Sequence, residues 1–425
     1  MPSTLSPSPR ALCAARLAPR VKRGAARSAS LALACLFALG AARESPARAP
    51  AWQRVAIHPE AARAEAKYGA RWLWSLLPWR GRLFVGYGSY NGANPRAVVR
   101  AFDPAALRFS PAPAFAADNE ALGIIRALGT RLYAPAWDAQ SGGAVAQNFA
   151  ASADERGEVW RDHAARVMFH VFDVATLDGG ADVWFVGTDP ARACPYDTCT
   201  EAVAFRSADG GQTFAEAIRL AGPPYGYRYA WFSFAGVFRG KLYLQAYFRG
   251  SAAGGADIAH DHSYVFDGRA WSIGPDLLPA RRVGDMGYQP VAFDDRLVYM
   301  TRAPIARSYP NTLPLWQNRM DLVTLDSQER VTYLSIPAGV AQFSVGGEYL
   351  YVLTRGGEVR RTRSLSAPWR SWEQLAAFHV NDPDPAFGNA GRSVAALDGF
   401  AYVGTSQGEL WRLPLPRKRA GGAGR

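Results

Sequence analysis

Apolar runs long enough to cross a membrane are missing from this chain. The most extended one, LALACLFALGAA from Leu31 to Ala42, has twelve residues, against the roughly 20 that a spanning helix needs. Stretches with 3.6-residue apolar periodicity are also missing from the body of the chain, which argues against a helical bundle or coiled coil. Cysteine is scarce, with four in 425 residues, and no two are spaced as a redox pair or surrounded by enough ligands for a structural metal site. Lysine is scarcer than the basic character suggests: Lys22, Lys67, Lys241 and Lys418 are the four among 48 basic residues. Arginine is therefore the default base here, and a single arginine says little about anion binding.

The net charge of +12 is unevenly placed. Residues 1–49 carry eight Arg or Lys against Glu44, which puts seven positive units in the leader, and Arg417, Lys418, Arg419 and Arg425 put four in the tail. About one unit remains for the body, too little for a nucleic-acid groove. The leader itself runs from a basic region, RVKRGAARSAS, into the apolar run and then into small residues and Pro. That order is expected of an export signal, cleaved after Ala42 or after Ala49. Cys13 and Cys35 would leave with it. Cys194 and Cys199 remain, in CPYDTC, and in an exported protein they are expected to form one small disulfide. The expected location is periplasmic or secreted, with no stable membrane span after cleavage.

What is abundant is aromatic residues, Gly and Pro, an all-β profile. One local pattern recurs seven times: an apolar strand, a tight turn with Gly or Asp, then a second strand with an aromatic or Leu-Val-Tyr core. The copies are RGRLFVGYG at 80, LGTRLYAPAW at 128, DGGADVWFVGT at 178, RGKLYLQAY at 239, DDRLVYMT at 294, GGEYLYVLT at 346 and DGFAYVGTS at 398. Tight turns of this kind between alternating apolar residues predict hairpins. A repeat of about 40 to 50 residues holding four short strands predicts a propeller blade. The last repeat offers only three strands, and WQRVAI at 52–57 stands before the first without a partner. The expected fold is thus all-β, a seven-bladed β-propeller closed by an N-terminal strand that completes the last blade. Residues 1–49 are read as signal peptide and short linker, 50–416 as a single propeller domain, and 417–425 as a basic, disordered tail.

The stretch SADGGQTF, residues 207–214, is expected to satisfy itself. Asp209 can accept from backbone N–H groups ahead of it, the glycines can take positive φ, Ser207 and Thr213 can bond back to the chain, and Phe214 can tuck beneath the turn. With the repeat in view, Ser207, Asp209, Gly211, Thr213 and Phe214 resemble the Asp-box, or BNR repeat, of the sialidase-like propellers, and SADERGEVW at 152–160 looks like a degenerate copy. NEALGIIRALGTRLYAPAWD and HVFDVATLDGG also resemble exported Asp-box propellers without an assigned activity. The resemblance implies that the box lies on the turn between the third and fourth strands of a blade, and that ligands collect on the other face.

Sialidase activity, by the same resemblance, would need three arginines clamping a sugar carboxylate, a Tyr activated by a Glu, and an Asp acid. The Phe-Arg-Ile-Pro pattern of that family's first blade is absent, its place taken by RWLWSLLPW. Arg126, Arg228, Arg302 and Arg392 can be placed near the axis. Repeat alignment puts Asp118, Asn119 and Glu120, Asp138, His170 and Asp173 on the ligand face. It adds Asp189, Tyr227, Asp285, Tyr288, Gln289 and Asn389. Of these, Glu120, Asp138 and His170 are the catalytic candidates. Asn119, Arg126, Asp173, Tyr227, Arg228, Tyr288, Gln289, Arg302 and Arg392 are the candidates for ligand binding. Strand alternation sets His170 and Asp173 on opposite sides of the pleat. His260 and His262, in AHDHS, could share one face of a strand and bind a metal, but their place on an outer-strand loop argues against it, and neither metal nor cofactor is expected. The sequence favours a monomeric module that binds a glycan or an envelope or extracellular protein. The alternative is an exo-acting glycoside hydrolase.

Overall fold

Four hairpin tips carry two successive residues in the left-handed region: Arg80–Gly81, Arg239–Gly240, Asp294–Asp295 and Asp398–Gly399. A two-residue turn of this geometry twists in the same sense as its flanking strands and joins them without splaying. At Asp294 and Asp295 no glycine relieves the strain. There Asp294 Oδ2 accepts from the Leu365 N–H at 2.7 Å and the Ser364 hydroxyl at 3.1 Å, so contacts to a distant turn hold the tip.

The structure, a computed structural model, describes residues 51–64, 71–88, 97–117, 121–135, 149–152, 154–162, 170–190, 199–221, 226–251, 258–280, 286–302, 321–383 and 388–416. The expected leader and tail, Asp118, Asn119, Glu120, Asp138, Asp285 and Cys194 lie outside the described residues, and so does the Cys194–Cys199 bridge. Cys199 itself is buried just before the strand Thr200–Ser207.

Seven antiparallel sheets form among the described residues. The first runs Leu73–Trp79, Arg82–Tyr87, Ala97–Asp103, Arg108–Phe109, with Phe115–Ala117 also on Ala97–Asp103; the second runs Arg126–Leu128, Arg131–Pro135, Phe149–Ser152, Trp160–Asp162. The third is His170–Thr176, Val183–Pro190, Thr200–Ser207, Ala215–Ala221. In the fourth, Tyr227–Phe232 and Gly236–Phe238 both pair with Lys241–Ser251, followed by Ile258–Phe266 and Trp271–Gly274. The fifth is Met286–Phe293, Arg296–Arg302, Leu322–Leu325, Val331–Leu334, and the sixth is Val340–Gly346, Tyr349–Thr354, Val359–Thr362, Glu373–Gln374. The seventh is Gly391–Leu397, Phe400–Thr405, Glu409–Pro414 and, from the other end of the chain, Gln53–Ile57. Each of the seven hairpins read from the sequence is an antiparallel pair.

Apolar residues alternate with polar ones less in these strands than in a one-sided sheet, because both faces of each sheet are covered. Tyr133 of the second sheet packs with Val174 and Phe185 of the third, and Trp184 of the third with Phe232 and Leu244 of the fourth. Phe234 and Tyr299 join the fourth to the fifth, Met300 and Phe343 the fifth to the sixth, and Leu353 and Val403 the sixth to the seventh. The seventh packs on the first through Tyr402, Phe102 and Tyr87, and the first on the second through Phe84 and Leu132. Large rings dominate these seams, and fully burying one contributes on the order of 2–3 kcal/mol.

The N-terminal segment spans the seventh and first sheets. Gln53–Ile57 pairs with Glu409–Arg412, Trp52 donates to the Ala376 carbonyl at 2.8 Å, and Arg54 meets Glu409 at 2.7 Å. The helix Pro59–Arg63 then starts on a proline, which loses nothing there because a first-turn N–H has no helical partner. Glu60 on this helix takes a two-pronged contact from Arg100 of the first sheet, through Nε at 2.7 Å and through Nη2. Beside it His58 is fully buried, stacked on Tyr87 at 4.9 Å. Burial lowers its imidazole to about 3, so it is neutral. Glu60→Ala, which strands the Arg100 guanidinium in a buried site, is expected to lower unfolding free energy by about 3 kcal/mol, measured by urea denaturation. Glu60→Gln, which keeps an acceptor, should lose less.

Candidate functional site

The SADGGQTF segment closes on itself between the third and fourth strands of the third sheet. Ser207 donates to Asp209 Oδ1 at 2.6 Å and accepts from the Gly211 N–H at 2.8 Å. Asp209 accepts from the N–H groups of Gln212 and Thr213, both at 2.9 Å, and from the Thr213 hydroxyl at 2.6 Å. Those donors hold its carboxyl well below the usual carboxylate range. Phe214 packs against Phe185 with centroids 4.5 Å apart. The side-chain oxygens of Ser207, Asp209 and Thr213 are all engaged within the turn. In SADERGEVW, Asp154 likewise accepts from the Glu158 N–H at 2.7 Å.

The inner strands meet around one ion pair. Arg126, at the start of the second sheet's first strand, donates from Nε to Asp173 Oδ1 at 2.9 Å and from Nη2 to Oδ2 at 2.8 Å. Its Nη1 donates to the Pro290 carbonyl of the fifth sheet at 2.6 Å. Asp173, buried in the third sheet, also accepts from its neighbour Val174 N–H at 2.8 Å and from Ala235 N–H of the fourth sheet at 3.0 Å. Four sheets are thus tied through two side chains. Tyr288 adds a further crossing, donating to the Gly123 carbonyl at 2.7 Å, while Gln289 sits at φ 51° in a bulge between Tyr288 and Val291. The alternation that placed His170 and Asp173 on opposite sides assumed a regular strand. The strand is bulged: Val171 pairs with Gly187 and Asp173 with Val186, so Phe172 is the extra residue and the alternation breaks there.

Arg392 is held in a second polar knot. Its Nη1 donates to the carbonyls of Asn389 at 2.8 Å and Gly391 at 2.9 Å, and its Nη2 to Asp382. The guanidinium lies 4.7 Å over Trp72 of the first sheet, a geometry that favours a cation on the ring face. Asn389 Oδ1 accepts from the Gly391 N–H, and Ser406 donates to Asp382 Oδ2 at 2.7 Å.

The half-buried rings of His170, Phe172, Trp231 and Tyr227 form a ledge on the third and fourth sheets, backed by the buried Tyr247 and Phe248. His170 stacks on Phe172 with centroids 5.5 Å apart, Phe172 lies 6.0 Å from Trp231, and Trp231 lies 4.8 Å from Tyr247. Tyr227 stacks on Phe248 at 5.4 Å, and Arg228 is exposed over Tyr229 at 5.2 Å. Arg302 ends the second strand of the fifth sheet. Of the sequence-predicted residues, then, Arg126 and Asp173 meet directly, Tyr288 lies in the same core, and Tyr227, Arg228 and Arg392 make contacts of their own.

Two charged groupings escaped sequence reasoning because their members come from different strands. Arg219 binds Asp189 at 2.8 Å, Glu201 at 2.9 Å and Glu216 at 2.9 Å across the third sheet. Burial raises the Asp189 carboxyl above its ordinary range. Tyr243 donates to Glu329 at 3.1 Å beside Lys241, which meets the same oxygen at 2.8 Å. Burial and the carboxylate push that phenol upward, away from a nucleophilic phenolate.

No family model matches the sequence, and no curated protein does. Among solved structures the chain is similar to the WD40 domain of Neurospora crassa Pan2, with a TM-score of 0.52 at 10% identity over 86% of this chain and 96% of that one. It is also similar to virginiamycin B lyase from Staphylococcus aureus, with a TM-score of 0.50 at 9% identity over 86% and 100%. A GH74 enzyme from Niastella koreensis gives 0.49 at 13% identity, over 85% of this chain and 53% of that protein. At such identities the likeness shows the fold alone: an all-β chain whose structural neighbours are β-propellers. No helix among the described residues is long and apolar enough to cross a membrane.

Asp173→Ala should destabilise the protein by about 3–5 kcal/mol in urea denaturation, because it leaves the Arg126 cation buried without its counter-ion. Replacing both residues by leucine should recover much of that loss. For Asp209 the folded carboxyl lies below its unfolded value, so its stabilisation is present above the ordinary carboxylate range and fades as pH falls through it. Asp209→Asn should therefore lower Tm at neutral pH, and the gap to the native protein should narrow in acid, followed by thermal melts across pH.

Proposed function

We propose that this chain is an exported binding module, a seven-bladed β-propeller of the sialidase-like, Asp-box type in which Gln53–Ile57 completes the last blade. Support for the blades comes from the seven sheets, their packing in chain order and the pairing of Gln53–Ile57 with Glu409–Arg412. Support for the Asp-box type comes from the self-satisfied turn at Ser207–Phe214. The leader supports export to the periplasm or beyond. The module acts as a monomer and without a cofactor.

One observation carries the preference for binding over sialidase-type catalysis. Arg126, the arginine best placed among the inner strands, already holds Asp173 through two bonds and a backbone carbonyl through a third. Arg392 is also engaged, through one contact to Asp382 and two to backbone carbonyls. An arginine saturated by an internal carboxylate is a poor clamp for a substrate carboxylate, since the substrate must displace a bidentate partner of equal charge. The half-buried ledge of His170, Phe172 and Trp231 supports a glycan as the ligand, because ring faces pack against the apolar face of a sugar while nearby polar groups orient it. A protein ligand would use the same ledge.

Glycoside hydrolysis is the second reading. It would draw on Glu120, Asp138 and His170, of which His170 lies on the aromatic ledge beside Phe172. A glycan array and a panel of chromogenic glycosides separate the two. The expected result is retention of one glycan class, weakened about tenfold or more by Trp231→Ala, as loss of a central aromatic contact does, with no aglycone released. Turnover that disappears in Glu120→Gln or Asp138→Asn would overturn the binding assignment.

A further inference from the structure

In the fourth sheet, Ile258–Phe266 falls out of register with Lys241–Ser251 at one place. Gln245 pairs with Ser263 and Tyr247 with Ala259, so His260, Asp261 and His262 together stand opposite Ala246 alone. In an unbroken strand Asp261 would face away from both histidines. The bulge turns all three side chains toward one another, as bulges do when they re-aim a residue. One ring nitrogen from each histidine and one carboxylate oxygen lie within 4.8 Å of each other. The Asp261 Oδ1 atom is 2.8 Å from His262 Nδ1 and 3.7 Å from His260 Nε2, and the two rings are 4.1 Å apart, edge to face.

We propose that His260, Asp261 and His262 form a binding site for a divalent transition-metal ion such as Zn²⁺ or Ni²⁺. Two imidazoles and one carboxylate suit these ions and disfavour Ca²⁺ and Mg²⁺, which take oxygen ligands. Metal–ligand bonds of about 2.0–2.2 Å at tetrahedral angles set ligand atoms about 3.4 Å apart. The observed 2.8 and 3.7 Å straddle that value, and the imidazole nitrogens, within 4.8 Å of each other, reach it by side-chain rotation on metal binding.

The surroundings hold the ligands in place. His260 is buried, its ring parallel to Tyr264 at 6.0 Å and edge-on to Phe248 at 5.2 Å. Its carbonyl accepts from Gln245 Nε2 at 2.6 Å, and Gln245 is fixed in turn by Asp276 and by the Leu277 N–H. These contacts fix the backbone that carries His260. Asp261 is exposed and His262 partly so, which gives an ion a path from solvent. Three protein ligands leave a fourth position for water or for a group on a bound partner. The site shares no residue with the ledge under the proposed function and stands independently of it.

The test is calorimetric titration of the full chain, stripped with a chelator, against Zn²⁺ and Ni²⁺ salts. One saturable equivalent is expected, with a matching rise in Tm. His262→Ala and Asp261→Asn, which alter the more exposed ligands and should leave the chelated protein's Tm unchanged, are expected to weaken binding at least about tenfold. His379→Ala, an exposed histidine elsewhere, should bind as the native chain does. Absence of saturable uptake, native affinity in both His262→Ala and Asp261→Asn, or loss of uptake in His379→Ala would overturn the assignment.

Discussion

The contact between Arg126 and Asp173 is the constraint on which the inner part of the structure rests. Both groups are withdrawn from water, and a buried ion pair is tolerable only when nearly every donor and acceptor finds a partner. Here the partners are the other sheets: the Pro290 carbonyl comes from the fifth and the Ala235 N–H from the fourth. Satisfying the pair therefore fixes the relative positions of strands up to 164 residues apart. The same saturation removes Arg126 from the pool of groups that could seize an anion, so a structural requirement and the functional reading have one cause.

A second constraint acts where the first and last described strands pair. Pairing Gln53–Ile57 with Glu409–Pro414 brings together residues about as distant in sequence as the described chain allows, with Arg54 and Glu409 separated by 355 positions. Closing so long a loop carries an entropic penalty that grows only slowly with its length. What offsets it is local and varied: ladder hydrogen bonds, the Trp52 indole contact, the buried His58 ring and the Glu60–Arg100 bridge. The pairing makes Gln53–Ile57 the outer strand of the last sheet, beyond Glu409–Pro414.

Irregularities in the strands concentrate the chemistry. Bulges lie at Phe172, next to the ion pair, at Gln289, next to Tyr288, and at His260–His262. Each breaks a period of two and turns a side chain where alternation would not send it. The regular parts of the sheets, by contrast, bury Val, Leu, Tyr and Phe in seams between sheets and offer little beyond packing.

The amino-acid order alone determined the elements and their local closure. Alternating apolar residues around Arg80–Gly81 or Asp398–Gly399 specify a hairpin wherever they occur, and Ser207, Asp209 and Thr213 satisfy one another within a few residues, because turn chemistry is decided by neighbours along the chain. The unpartnered WQRVAI strand and the three-stranded final repeat pointed to a pairing across the whole chain. Only the tertiary structure decided that Arg126 would face Asp173, that Arg219 would collect Asp189, Glu201 and Glu216, and that His260, Asp261 and His262 would converge. Those contacts depend on register, on bulges and on the packing of one sheet against the next. A bulge shifts every later side chain to the other face, and because both faces of these sheets are covered by apolar packing, the hydrophobic pattern does not mark where the shift falls.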